Sequence, residues 1–262
     1  MKANQKPDVI GFIPTGLTAL DELLGGGIAK GKITEISSPF STGKSTLALQ
    51  IVAHAQKKHD CLYAENEFTY SNEFAKSLGV DVDKLDFIQE RLGEDALDAV
   101  EEWITNHKDA LIILDSVGGI LPREDAEKEA GSKSIGTQAR LISSFCRRII
   151  GLLSENENAL IFLNHQFTDI GTGRLKSSGG EKLAYHKAYW ITLRSQFGKQ
   201  SSRTTDGSKR NKYIEAELKK EKGMNTTEGK KAELILEYGR GFVNPDAVTI
   251  VKRGRPAKSP TE

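Results

Sequence analysis

One run of small and hydroxylic residues has the composition of a phosphate site: Ser38-Pro39-Phe40-Ser41-Thr42-Gly43-Lys44-Ser45-Thr46. Small residues let successive backbone N–H groups converge on one anion, and a helix that starts at the lysine adds the positive end of its dipole. At this spacing Lys44 reaches the β- and γ-phosphates of a nucleotide and the Ser45 hydroxyl ligates magnesium. The usual pattern opens with glycine where this chain has Ser38. A Gly/Ser-rich strand-to-helix turn that binds nothing is the competing reading. Three acids further along could complete the chemistry. Asp115 ends the apolar run Ala110-Leu111-Ile112-Ile113-Leu114, where an aspartate either holds magnesium or caps the next loop. Glu65 and Glu67 follow Asp60-Cys61-Leu62-Tyr63-Ala64 and are either water-activating carboxylates or a solvated pair of loop acids.

These residues need a scaffold that brings strand ends together. The β-branched run Lys32–Ile36 predicts a buried strand, and Leu47, Ile51, Val52 and Ala55 share a helical face after the loop. Further strands are predicted at 60–64, 85–88, 110–116, 158–164 and 189–193, with helices over 72–78, 95–107 and 136–154. Strands that alternate with helices imply an α/β fold with a mostly parallel sheet, which gathers ligand-binding residues beyond its strand C-termini. Residues 212–218 and 232–238 predict an antiparallel C-terminal hairpin. Before the first strand, Leu17, Leu20, Leu23 and Leu24 line one face of a short helix that Gly25-Gly26-Gly27 stops. Residues 122–135, polar and charged, and 171–180, Gly-rich with few apolar anchors, are expected as mobile loops, and 198–211 is expected to be disordered.

Composition excludes several classes. Of 262 residues, 37 are Lys or Arg and 36 Asp or Glu, so the net charge of +1 gives no global attraction to nucleic acid; any such surface must be local. Cys61 and Cys146 are two isolated thiols in apolar segments, with no disulfide framework and no zinc spacing. No apolar run approaches the roughly 20 residues of a membrane span. The polar start, Met1 to Asp8, lacks the apolar segment of a signal peptide, so a cytoplasmic location without membrane partners is expected. The expected organisation is a short leader at 1–10, one core at 11–250 and a basic tail at 251–262.

Together these features resemble the RecA-type strand-exchange recombinases, and among them the phage-type members. The carriers are Pro14-Thr15-Gly16 with Leu20-Asp21, the phosphate loop, Glu65-Asn66-Glu67, Ala75 through Asp81 and Leu114-Asp115-Ser116-Val117. Others are Gly131 through Arg140, Ile161-Phe162-Leu163-Asn164, Gly179-Gly180 and Tyr238-Gly239-Arg240-Gly241. The resemblance runs from about Gly11 to about Val248 and implies a RecA-like ATPase core that uses ATP and Mg2+.

The resemblance also implies roles that spacing alone does not. Glu67 falls on the family's catalytic glutamate, and Ser71 and Phe74 on positions flanking the adenine. His165 takes the place of the usual γ-phosphate-sensing glutamine, as in phage-type members; the adjacent Gln166 is an alternative sensor, and a core histidine is the bland reading. Residues 127–135, with Lys128, Gly131 and Lys133, match a first DNA loop. Residues 166–181, with Arg174, Lys176, Gly179 and Gly180, match a second. Arg140 and Arg147 match phosphate contacts at the base of those loops, and Lys220 and Lys222 match lysines that reach a neighbour's ATP site. The implied function is an ATP-dependent recombinase that binds single-stranded and also duplex DNA as a homo-oligomer or filament. With ten or so residues before the core, the family's N-terminal helix and polymerisation strand are not expected here. An accessory RecA-fold protein and a hexameric helicase-type ATPase are the rival readings.

Overall fold

The computed structural model describes residues 10–128, 136–168, 175–177, 180–196, 211–222 and 229–244. The strands are β1 (Phe12–Ile13), β2 (Ile28–Ala29), β3 (Ile33–Ser38), β4 (Cys61–Glu65), β5 (Leu85–Ile88) and β6 (Leu111–Asp115). They continue with β7 (Ala159–Thr168), β8 (Leu175–Ser177), β9 (Tyr189–Ser195), β10 (Asn211–Glu221), β11 (Lys231–Glu237) and β12 (Gly241–Val243). The helices are α1 (Thr18–Leu24), α2 (Lys44–Ala55), α3 (Asn72–Ser77), α4 (Gly93–Asn106), α5 (Arg123–Ala126), α6 (Thr137–Glu155) and α7 (Gly180–His186).

The main sheet runs β12-β11-β10-β9-β3-β7-β6-β4-β5, with β8 paired to β7 beside it. From β9 to β5 every neighbour is parallel, and β10, β11 and β12 extend the sheet antiparallel. The α/β architecture and the C-terminal hairpin therefore match expectation. Buried strands must be covered on both faces. Leu20 and Leu23 of α1 and Leu47, Ile51 and Val52 of α2 cover one face. Leu97, Val100 and Ile104 of α4, Phe145 and Ile149 of α6, and Leu183 of α7 cover the other. Cys61 and Cys146 lie buried on opposite faces, and burial pushes both thiols up to about 12.

The differences from expectation are local. Gly25 ends α1 in the left-handed conformation as foreseen, but the β1–β2 ribbon was not legible, because two-residue strands leave no periodicity. Strand β7 runs on to Thr168, so His165 and Gln166 lie inside a strand and face opposite ways. The stretch expected as a second loop over 171–180 contains β8, paired antiparallel with β7, and ends as α7 begins at Gly180. Residues 129–135, most of 198–211 and the tail at 251–262 lie outside the described residues.

One face of the central strands is polar. Lys187, just after α7, donates to Glu35 of β3 at 2.5 Å, and Asn164 of β7 donates to the other Glu35 oxygen at 3.2 Å. Both members of the ion pair are buried, and desolvation lowers the Lys187 pKa. The Lys187 ammonium also lies 3.7 Å from the centre of the Trp190 ring. Trp190 and Gln166 both donate to the Ser37 hydroxyl, at 2.7 and 3.0 Å. Removing one partner of such a pair strands a buried charge, which costs about 3–5 kcal/mol, whereas removing both costs much less. Glu35→Gln is therefore expected to lower unfolding stability by about that amount. Glu35→Gln combined with Lys187→Met should recover most of it, as read by denaturant midpoints. Additive losses would refute the pairing.

Candidate active site

The phosphate loop hangs from the C-terminal end of β3 and feeds α2, whose first turn begins at Lys44. Gly43 has φ +102°, and a Cβ there would lie 3.1 Å from both Leu236 and Phe242, so the C-terminal hairpin packs against the loop. Thr42 donates its hydroxyl to the Pro39 carbonyl at 2.9 Å, and Lys212 of β10 donates to the Ser41 carbonyl at 2.8 Å. Ser38 is buried in extended strand and has no positive φ, so this position does not need glycine. Its hydroxyl donates to the Pro39 carbonyl at 2.8 Å and accepts from the Lys44 ammonium at 3.2 Å.

Register brings the other groups to the same edge. Ser38 lies beside His165, Asp115 beside Leu163, and Glu65 beside Asp115. Asp115 accepts from the Ser45 hydroxyl at 2.8 Å and from the Tyr63 hydroxyl at 2.7 Å. Burial raises the Asp115 pKa against the two hydrogen bonds that lower it, and burial lowers the Lys44 pKa against the charges of Asp115 and Glu67. A carboxylate and a hydroxyl side by side are the hard oxygen donors that magnesium takes, and a cation would relieve the desolvated carboxylate. The donor set thus fits the ion. Tyr63 was not singled out from the sequence; its signal was a hydroxyl within an apolar strand two residues before the acidic end.

The two glutamates separate clearly. Glu65 is buried and accepts from the backbone N–H groups of Glu67, Phe68 and Thr69 at 3.1, 2.9 and 2.8 Å. It also accepts from the Thr69 hydroxyl at 3.2 Å and from Gln89 at 2.7 Å. Glu65 is a scaffold for the loop that carries Glu67, its oxygens taken by these five donors and not turned to an attacking water. Glu67 is partly exposed at the cleft, where Ser116 donates to its Oε1, another contact the sequence did not reveal. His165 bridges Lys44 and Glu67, with Nδ1 3.1 Å from the ammonium and Nε2 3.2 Å from Oε1. An ammonium can only donate, so Nδ1 accepts and the proton of a neutral ring sits on Nε2. Gln166 faces the other side of the sheet, where Ser37 holds it, so it cannot serve as the alternative sensor.

The remaining expected residues lie farther out. Ser71 caps α3 by accepting from the Phe74 N–H at 3.3 Å, and both side chains are exposed. Lys128 is paired with Glu124 and Asp125 at 2.6 and 3.3 Å. Arg140 and Arg147 are exposed and share one face of α6, two turns apart, whereas Arg148 is committed to Asp98 and Glu101 of α4. Lys176 lies in β8 and Gly180 starts α7; Gly131, Lys133, Arg174 and Gly179 lie outside the described residues. Lys220 pairs with Trp190, which pairs with Glu35, so it sits toward the end of the sheet away from the phosphate loop. Its ammonium donates to the Ala184 carbonyl, and that of Lys222 to the Tyr185 carbonyl at 2.6 Å. Neither lysine is directed at its own chain's phosphate loop.

The family model described as the RecA N-terminal domain matches residues 1–243. Protein RecA of Streptomyces avermitilis is 33% identical over 248 residues, covering 92% of this chain and 64% of that protein. Protein RecA of Symbiobacterium thermophilum is 33% identical, covering 88% and 65%, and that of Bifidobacterium longum 34%, covering 95% and 62%. The chain spans a little under two thirds of the length of these relatives.

Glu65→Gln removes a charged acceptor of several hydrogen bonds and is expected to cost about 1.5–3 kcal/mol of stability. Glu67→Gln should leave the unfolding midpoint and nucleotide binding in place and slow nucleotide hydrolysis by about 100-fold or more. Thermal melts, a fluorescent-nucleotide titration and a phosphate-release assay check both. Normal hydrolysis by Glu67→Gln would remove Glu67 from the chemistry.

Proposed function

The chain belongs to the RecA family, and we propose that it is an ATP-dependent recombinase acting on single-stranded DNA in homologous recombination and DNA repair. The observation that carries this reading is His165. It touches the phosphate-loop lysine and Glu67, and it sits three residues before the end of β7, the strand that leads into the second loop expected to bind DNA. One strand therefore joins the nucleotide site to the segment that would hold nucleic acid.

In this reading ATP lays its phosphates on the first turn of α2. Lys44 exchanges its contact with Ser38 for phosphate oxygens and keeps its donation to His165 Nδ1. Ser45 and Asp115 would hold Mg2+, which when bound would offset phosphate charge. Glu67 orients the attacking water, and His165 senses the γ-phosphate through Lys44. Ser71 and Phe74 flank the adenine. Lys220 and Lys222 serve the site of an adjacent copy, which their direction away from their own phosphate loop supports, and the working form is a homo-oligomer or filament. Lys128, Gly131, Lys133, Arg140, Arg147, Arg174, Lys176, Gly179 and Gly180 take the DNA backbone, of single strands first and of duplex as the exchange partner. Backbone contacts of this kind carry little sequence preference. The core extends over 11–250, and the place of action is the cytoplasm; among the described residues no helix is long and apolar enough to cross a membrane.

ATP and DNA binding must then each favour the other. Single-stranded DNA is expected to raise ATP turnover several-fold at low salt, with the stimulation fading as salt rises and counterion release loses its drive. Lys44→Ala should abolish turnover with and without DNA. Equal wild-type rates in the presence and absence of single-stranded DNA would overturn the reading.

A further inference from the structure

Phe40 lies in the middle of the phosphate loop with 74% of its surface exposed. Single exposed hydrophobic residues are ordinary, but one face of this ring is committed. It stacks on the His165 imidazole with centroids 4.5 Å apart and planes 25° from parallel. His165 in turn has both ring nitrogens engaged, Nδ1 by Lys44 at 3.1 Å and Nε2 by Glu67 at 3.2 Å. Phe40, His165 and Glu67 meet at a cleft that Asn66, Gly119 and Phe167 also line. An imidazole can satisfy two such partners in one orientation only. A half-turn of the ring exchanges the nitrogens for carbons and breaks both contacts. The side chain is otherwise partly solvated, so a flat neighbour on its face restricts that turn.

We propose that Phe40 is a positioning residue for ATP hydrolysis, which acts by holding His165 in the orientation and tautomer that present Nε2–H to Glu67. This rests on the hydrolysis reading above. The consequence for Glu67 is specific. His165 and Ser116 both donate to Oε1, so the carboxylate is fixed in plane and Oε2 is the oxygen turned to the attacking water. Backbone amides, not this side chain, build the phosphate cradle, so loss of the ring acts on the chemical step and not on nucleotide binding.

Phe40→Ala, changing an exposed side chain, should keep the wild-type thermal midpoint. Its kcat for ATP should fall roughly 10- to 100-fold, the cost of a misdirected catalytic group, with KM changed less than about twofold, as expected for a step after binding. Phe40→Tyr should restore the rate. In a His165→Ala background, Phe40→Ala should add no further loss, because two residues acting through one contact do not add. Long-range 1H–15N spectra, with His165→Gln to assign the resonance, should show the Nε2–H form in the wild type and a mixture of tautomers in Phe40→Ala. Wild-type kcat in Phe40→Ala, multiplicative losses in the double variant, or an unchanged tautomer spectrum would each overturn the proposal. Should the wild type hydrolyse no ATP, the hydrolysis reading fails, and the spectrum alone decides whether Phe40 orders His165.

Discussion

The site depends on parallel register. In a parallel sheet every strand finishes at the same edge, so a polar residue that ends one strand meets those that end its neighbours. Here β3 ends at Ser38, β6 at Asp115 and β4 at Glu65, and β7 passes His165 at the level of Ser38. None of these residues is near another in the chain, yet pairing places them within side-chain reach. Each functional contact follows from that alignment: Ser45 with Asp115, Lys44 with Ser38 and His165, His165 with Glu67. A slip of one residue in β7 would turn His165 away from the phosphate loop and bring Gln166 toward it.

Alternation along the same strands builds a second polar layer on the opposite face. Glu35 and Ser37 of β3, Asn164 and Gln166 of β7 and Trp190 of β9 all point there, and Lys187 closes the layer from the end of α7. The sheet core beneath the nucleotide site is therefore hydrogen-bonded where the rest is apolar. Burying Lys187 and Glu35 is tolerable because each is paired and because Asn164 and the Trp190 ring share the load. Strand β7 consequently has both faces engaged: His165 contacts Lys44 and Glu67 on the phosphate-loop side, and Asn164 and Gln166 tie the strand to β3 on the other. A shift of α7 would be felt at Glu35 through one ion pair.

Most of this was legible in the chain. Apolar periodicity located α2, α4 and α6, and short apolar or β-branched runs located β3, β4, β6 and β9, because burial imposes those patterns directly. The ends of strands were harder. Strand β7 was expected to stop at Asn164 and runs to Thr168, since polar residues at a functional strand end look like the start of a loop. That misreading left Gln166 open as an alternative to His165, and alternation separates the two. Strand β8 and α7 were hidden by the Gly/Ser-rich composition around them, and β12 by its three-residue length. Glu65 and Glu67 could not be ranked by spacing alone. Only the hydrogen-bond partners show that one carboxylate builds the loop and the other faces the cleft.

Ser38 shows why a departure from a motif has to be judged by backbone and partners together. A glycine opens the usual phosphate loop, and glycine is demanded only where φ is positive or a Cβ would collide. Ser38 meets neither condition as the last residue of a regular strand, whereas Gly43 meets the first and packs closely against Leu236 and Phe242. The hydroxyl at 38 adds an acceptor for a buried lysine whose ammonium is weakened by desolvation. With His165 as its second acceptor, Lys44 is held in one place before any phosphate arrives. A phosphate oxygen carries more negative charge than the serine hydroxyl it replaces, so the exchange favours the anion. The serine thus orders the lysine without competing strongly for it.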